Sequence, residues 1–181
     1  MTKSHHLIQE NLGLLEQGLD LLQRFDAATY AESPWIGPHL RHALDHYSAF
    51  FLGLEHPDTP TLDYDVRVRD RRIETERQVA QSVIATLIKR FAELDSDDLD
   101  RPIRLRAEDA AYEGEIHEYS LSTIRRELQF LASHTVHHWA LIAARLAPLG
   151  VDLGEEFGVA PSTLAYRRRC REREACALPV G

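Results

Sequence analysis

The chain has 181 residues, of which 44% are apolar and 28% are charged, a composition typical of a single soluble globular domain. Its formal charge of -8 at pH 7 argues against a general nucleic-acid binder, because phosphate binding requires a cationic surface. No apolar run approaches the roughly 18 residues of a membrane span, and the N-terminus lacks the apolar core of a signal peptide. The two cysteines, Cys170 and Cys176, cannot form a disulfide framework, so we expect a cytoplasmic protein.

Hydrophobic periodicity predicts four long amphipathic helices. The first carries an apolar stripe that begins at Ile8 and advances in steps of three and four residues. The second runs through LRHALDHYSAFFLGL, with Pro38 in its first turn, where the missing N–H needs no partner. The third begins with Thr75 and Gln78 in the spacing of a capping box. The fourth contains HTVHH and ends at Gly150, a residue suited to the left-handed C-cap.

These elements indicate an all-α fold, a four-helix bundle with long crossover connections. The connection between the third and fourth helices contains IRLRA and EIHEY, which we expect to pair as a small β-hairpin. Residues 1–181 are predicted to form one domain, in which residues 155–181 are a C-terminal extension with a short basic helix. Long connections in a compact domain are usually functional or disordered.

The fourth helix places three histidines within five residues. On a helical wheel of about 100° per residue, His138 lies within the apolar arc, His134 on its edge and His137 toward the polar side. The inward pair is therefore His134 and His138, whose i, i+4 spacing stacks both side chains on one face. A helix offers two imidazoles to one metal ion at this spacing.

The second helix supplies candidates for a third ligand. His39, His42 and His46 share one stripe beside the apolar centre of that helix, and the wheel does not choose among them. A single helical histidine is more often a surface or packing residue than a ligand. Two histidine stripes on two bundle helices favour a metal site, because a bundle helix can turn one edge of its buried arc toward a neighbour.

The segment IGPHLRHALDHY, followed after one helix by RRELQFLASHTVHHWALI, resembles the DinB/YfiT-like superfamily. The strings YDVRVRDRRIET and FGVAPSTLAYR extend the resemblance over nearly the whole chain. It implies a four-helix bundle that binds one divalent metal ion through three histidines, here His42, His134 and His138, with His46 as the alternative from the second helix. The chain departs from the family after the last ligand, where Trp139-Ala-Leu replaces the commoner Arg-Gly-Gln.

Three imidazoles leave a coordination position open, and an ion in such a site can activate water or a small thiol. The resemblance implies a hydrolase or a thiol-dependent transferase, a small-molecule partner such as a low-molecular-weight thiol, and a homodimer. Imidazole ligands suit zinc, nickel and iron alike, so the metal stays open. The alternative is a non-catalytic metal-binding bundle with a full coordination sphere that acts in stress response or partner binding.

Other side chains are candidates for supporting roles. Glu127 lies between the inward histidines on the wheel, and Asp45 follows the second-helix ligand by three residues. Either carboxylate would fix a ligand's tautomer or act as a catalytic base. Tyr64, Arg67 and Arg69 in the long loop are candidates for substrate binding, since arginine clamps carboxylate or phosphate. A solvated run of charges is the alternative interpretation of that loop.

Overall fold

The computed structural model describes residues 3–56, 59–106 and 119–177. Within these ranges the chain is mainly helical and carries a small three-stranded sheet, which confirms the predicted helical class. None of the described helices combines the length and apolar character that crossing a bilayer requires. The helices are α1 (Lys3–Gln23), α2 (Ala27–Glu32), α3 (Ile36–Leu54), α4 (Arg72–Thr75), α5 (Arg77–Ala92), α6 (Ile124–Leu146) and α7 (Pro161–Ala177), the 3₁₀ turns are Ser96–Asp100 and Ala147–Leu149, and the strands are β1 (Thr61–Asp63), β2 (Pro102–Arg106) and β3 (Tyr119–Thr123).

The four long helices pack through their apolar stripes. Helix α1 contacts α5 and α6, and α3 contacts the same two helices. Leu15, Leu44, Ile84 and Leu128 come from these four helices and are all fully buried in one core. The face of α3 that meets α6 is the part of this arrangement that positions the candidate site.

Helix ends follow the local chemistry with one exception. Pro38 lies in the first turn of α3, and Gly150 adopts φ 75°, the left-handed conformation that favours glycine. The capping box predicted at Thr75 was wrong. Thr75 ends the short helix α4, and the extended backbone of Glu76 (φ -114°, ψ 97°) separates it from α5, which begins at Arg77.

The sheet joins the two long connections. Strand β1 pairs in parallel with β2, and β2 pairs antiparallel with β3. The predicted hairpin strand IRLRA overlaps β2, whereas EIHEY lies outside the described residues except for Tyr119, the first residue of β3. The connection between the third and fourth long helices therefore contains an antiparallel strand pair, formed in the described residues by β2 and β3.

The end of α3 and strand β1 approach each other closely at Gly53. A Cβ atom at this position would lie 2.6 Å from the carbonyl oxygen of Thr61, so only glycine fits. This contact fixes the start of the loop that continues from β1 toward the histidine-bearing face of α3.

The C-terminal segment contacts the helices through an aromatic pair. Phe157 stacks on Trp139, with ring centroids 6.1 Å apart, and the indole N–H of Trp139 donates to the carbonyl of Leu14 at 3.0 Å. Trp139 is fully buried. Trp139 therefore attaches α6 to α1, whereas the adjacent His138 lies against rings of α3.

Candidate metal centre

Imidazole rings from two helices meet where α3 faces α6. The ring centroids of His42 and His138 are 4.6 Å apart, and those of His46 and His134 are 4.1 Å apart. One nitrogen from each of His42, His46 and His134 lies within 4.8 Å of the others, close enough to share one ion. We use the name histidine cluster for the rings of His42, His46, His134 and His138.

The arrangement bears on the two predicted ligand sets. His42 and His46 were alternatives for the third ligand, yet both rings lie beside His134. His138 also belongs to the cluster, since its Nε2 lies 3.2 Å from the Nε2 of His134. His137 is exposed, as the helical wheel indicated. The structure thus offers four imidazoles, and the three whose nitrogens all lie within 4.8 Å of one another are His42, His46 and His134. The selection of His42, His134 and His138 as the ligands stays a prediction.

Backbone geometry fixes the tautomer of one ring. The Nδ1 of His46 lies 2.8 Å from the carbonyl oxygen of His42, one helical turn earlier. Because a carbonyl only accepts, this nitrogen carries the proton and donates, and the Nε2 of His46 keeps its lone pair. Metal-binding histidines are commonly oriented by such a hydrogen bond.

The α6 pair has a donor spacing suited to a metal ion. Bonds of about 2.0–2.1 Å to a tetrahedral ion place two nitrogens about 3.3 Å apart, close to the 3.2 Å between the Nε2 atoms of His134 and His138. The Nδ1 of His138 is paired with the Nδ1 of His39 at 2.9 Å. The Nδ1 of His134, in contrast, is buried without a hydrogen-bond partner. The rings therefore fit a divalent ion through the two facing Nε2 atoms, whose separation matches that of two ligands of one tetrahedral ion.

Burial keeps the rings neutral. Desolvation, assisted by the neighbouring ring of His46, lowers the pKa of His134 to about 3. Desolvation and the neighbouring His42 lower the pKa of His138 to about 3. The pKa of His42 falls to about 4 for the same first reason, with His46 as the next contributor. Near pH 7 these rings are uncharged, the form in which imidazole binds a metal.

The first predicted carboxylate, Asp45, lies beside the cluster with another partner. It is buried, and it accepts a hydrogen bond from Arg41 at 2.6 Å. Arg41 also binds Glu74 through its Nε. Burial raises the pKa of Asp45, although Arg41 acts in the opposite direction. The hydrogen bond that we suggested between Asp45 and a ligand's ring is not formed among the described residues.

The second predicted carboxylate, Glu127, is buried at 2% exposure. One oxygen accepts from the hydroxyl of Tyr64 at 2.9 Å, and the other accepts from Ser122 at 2.5 Å. Both partners lie outside α6, so Glu127 connects the loop and β3 to the start of that helix. It does not contact a ring nitrogen among the described residues, and a catalytic role for it stays a prediction.

Tyr64 forms one wall of the histidine cluster. Its ring stacks on His46 with centroids 5.4 Å apart and lies 5.1 Å from the ring of Phe130. Burial, with a smaller contribution from Glu127, raises the pKa of Tyr64 well above its ordinary value. The phenol therefore keeps its proton and serves as a hydrogen-bond donor.

The two loop arginines proposed for substrate binding occupy different surroundings. An Nη1 atom of Arg67 lies 3.2 Å from the Nδ1 of His42 and 3.5 Å from ring nitrogens of His46. Arg69 is exposed, with φ 51°, and donates to the carbonyl of Asp65 at 3.4 Å. The structure brings Arg67 to the cluster and leaves Arg69 at the surface.

Two neighbours of the cluster were not predicted. Phe130 stacks on His134 with ring centroids 5.5 Å apart, and Ser122 binds Glu127. Phe130 precedes His134 by four residues, so helical spacing alone could have indicated this contact. Ser122 precedes the helix on β3, and only the course of that strand reveals its role.

Comparison with known proteins finds little. No protein-family model and no solved structure matches the chain. FK506-binding protein 5 of Rhizopus delemar is 35% identical over 109 residues, which are 60% of this chain and 28% of that protein. The aligned part is therefore little more than a quarter of the relative. The ligand in its name is that protein's ligand, and the similarity carries no activity to this chain.

Proposed function

We propose that this chain is a DinB/YfiT-like four-helix bundle that holds one divalent metal ion between α3 and α6. Contacts of α1 and α3 with both α5 and α6 support the bundle. The observation that carries the metal site is the convergence of neutral imidazoles from two helices, with nitrogens of His42, His46 and His134 within 4.8 Å of one another. Neutral imidazole is a common ligand of divalent ions, so nitrogens this close together form a candidate ligand set.

The ligands are His134 and His138 from α6, with His42 or His46 from α3. An ion in this site, with a coordination position open, would act as a Lewis acid toward water or a small thiol. Phe130 and Tyr64 cover one flank of the rings and exclude water from it. Tyr64 holds a proton at its phenol oxygen, and Glu127 orients that group. We propose hydrolysis or thiol transfer as the reaction class.

A second candidate function is supported by the position of His46. Its ring nitrogen lies within 4.8 Å of those of His42 and His134, and His138 adjoins His134 at 3.2 Å, so four imidazoles are available for a tetrahedral site. Such a closed site would be structural, and the protein would then act through a partner. Catalysis requires an open position, so the two functions differ in whether a small thiol can reach the ion.

Metal analysis tests the proposal. Full-length protein purified without chelator should contain about one divalent ion per chain. His134→Ala should lose at least about 100-fold in zinc affinity by calorimetry, because a ligand is removed. His137→Ala is the matched control and should bind zinc like the wild type, since this ring is exposed.

Equal metal content in His134→Ala and His137→Ala would contradict the metal site. Cobalt-substituted wild type then separates the two functions. Addition of 2-mercaptoethanol should change the visible absorption of an open site, and an unchanged spectrum would favour the closed, non-catalytic site.

A further inference from the structure

Two arginines flank the histidine cluster, and their charges are balanced differently. Arg41 forms ion pairs with both Asp45 and Glu74. Arg67 forms no ion pair within the described ranges, and its Nε is buried without a hydrogen-bond partner. The buried carboxylate of Asp45 lies near enough that the charge of Arg67 acts to lower its pKa, but that carboxylate is bound by Arg41. The half-buried guanidinium of Arg67 is therefore left without a carboxylate in direct contact, so its desolvation is only partly offset.

The present acceptors of Arg67 are the rings themselves. Its Nη1 lies 3.2 Å from the Nδ1 of His42, and it donates there only if this nitrogen has its lone pair free. A neutral imidazole has one such nitrogen. If His42 binds an ion through Nδ1, that lone pair is used, and if it binds through Nε2, the Nδ1 carries the proton. In either case Arg67 loses this acceptor when His42 becomes a ligand.

We propose that Arg67 binds an oxyanion of the substrate, a carboxylate or a phosphate, next to the metal ion. This inference rests on the proposed metal site and names the substrate class for it. Guanidinium groups bind such anions through several N–H donors at once. The anion supplies a negative charge in direct contact and replaces the acceptor that Arg67 loses when His42 binds the ion, and the half-buried side chain is accessible from solvent.

The same loop contains a matched control. Arg69 has the same charge, lies two residues away and is exposed. We would load full-length wild type, Arg67→Gln, Arg67→Lys and Arg69→Gln with cobalt, confirm equal metal content, and titrate each with inorganic phosphate and separately with succinate by calorimetry. Arg67→Gln should lose at least about tenfold in affinity for the preferred anion, a typical effect of removing a charged hydrogen-bond donor. Arg69→Gln should stay within about twofold of the wild type, and Arg67→Lys should fall between them.

The outcomes separate this inference from the metal site. Equal anion affinities in metal-loaded wild type and Arg67→Gln would overturn the inference and leave the metal site standing. Binding of neither anion to the loaded wild type would overturn it in the same way. A wild type that takes up no metal would overturn both. The stronger of the two anions identifies the group that the substrate carries.

Discussion

Helix α6 has two buried faces, one toward α1 and one toward α3. The buried polar groups on these faces differ in how completely they are hydrogen-bonded. Toward α1, the indole of Trp139 donates to Leu14, and the amide of Asn11 donates to the carbonyl of Leu128 at 3.2 Å. The side-chain oxygen of Asn11 accepts in turn from Tyr47. These groups are fully buried and hydrogen-bonded, as expected of polar groups that serve the fold.

Toward α3, the same helix presents rings whose nitrogens are incompletely paired. The Nδ1 of His134 has no partner, and the Nε2 atoms of His134 and His138 face each other at 3.2 Å. Buried polar groups between α6 and α1 are therefore hydrogen-bonded, whereas a ring nitrogen between α6 and α3 is left without a partner. Natural proteins depart from full satisfaction mainly at functional sites.

The largest effect that we expect is a loss of stability when a residue on the α1 side of α6 is replaced. Trp139→Ala should lower the free energy of unfolding by about 3–5 kcal/mol, because loss of a fully buried indole leaves a cavity. Urea denaturation measures this loss. Trp35→Ala is the control, since Trp35 is 42% exposed, and it should cost under about 1.5 kcal/mol. Similar losses in the two variants would mean that the contacts of Trp139 with α1 stabilise the fold no more than those of an exposed tryptophan.

On the α3 side of α6, replacing a histidine should raise the stability of the metal-free protein. His134→Leu should raise the stability of the metal-free protein by about 1 kcal/mol, because an apolar side chain replaces a buried ring with an unsatisfied nitrogen. The variant should also lose the stabilisation that zinc gives the wild type, about 2.7 kcal/mol at a hundredfold excess over the dissociation constant. Urea denaturation with and without zinc measures both quantities.

His137→Leu is the control for this substitution and should keep the response to zinc, because its ring is exposed. If His134→Leu destabilised the metal-free protein as strongly as Trp139→Ala, side chains on both faces would contribute equally to stability, which would contradict the proposed difference.

Counted per ring, the smallest expected effect is a pH dependence of the metal-free protein. Burial holds the pKa of His134 and His138 at about 3 and that of His42 at about 4, below the value near 6.5 of an exposed histidine. Between pH 6.5 and 4 the unfolded chain therefore binds more protons than the folded chain. The free energy of unfolding is fully present above pH 6.5 and decreases as the pH falls through this window.

At pH 5 this decrease should be about 1 kcal/mol per ring, after allowance for solvent screening of these partly exposed groups. Urea denaturation at pH 7.5, 6 and 5 measures it. His134→Leu should show a smaller pH dependence than the wild type. An equal dependence in the two proteins would mean that this ring does not contribute.

Helical periodicity was enough to separate the inward histidines of α6 from His137, because burial on a helix follows the 3.6-residue repeat. It did not decide between His42 and His46. These two residues lie on one stripe and differ in their position along the α3 axis, and the choice depends on how far α3 is shifted along α6. That shift results from packing over the whole helix, which no local pattern records.

The sequence reveals the partners of the two carboxylates only when they are close along the chain. Arg41 precedes Asp45 by four residues, so their ion pair was readable as a helical i, i+4 contact. Tyr64 and Glu127 are 63 residues apart, and their hydrogen bond depends on the course of the loop after β1. The same loop brings Arg67 to the cluster. The sequence did not distinguish Arg67 from Arg69, and both were predicted to bind substrate.

The contact between His39 and His138 joins residues 99 positions apart in the chain. The cluster takes its imidazoles from both α3 and α6. A nascent or cleaved fragment that lacks α6 would therefore retain only the rings of α3. Contacts of such long sequence separation are slow to form, since closing the long loop between them costs entropy. An ion held here would consequently need both helices in place, and proteolytic removal of α6 would release it.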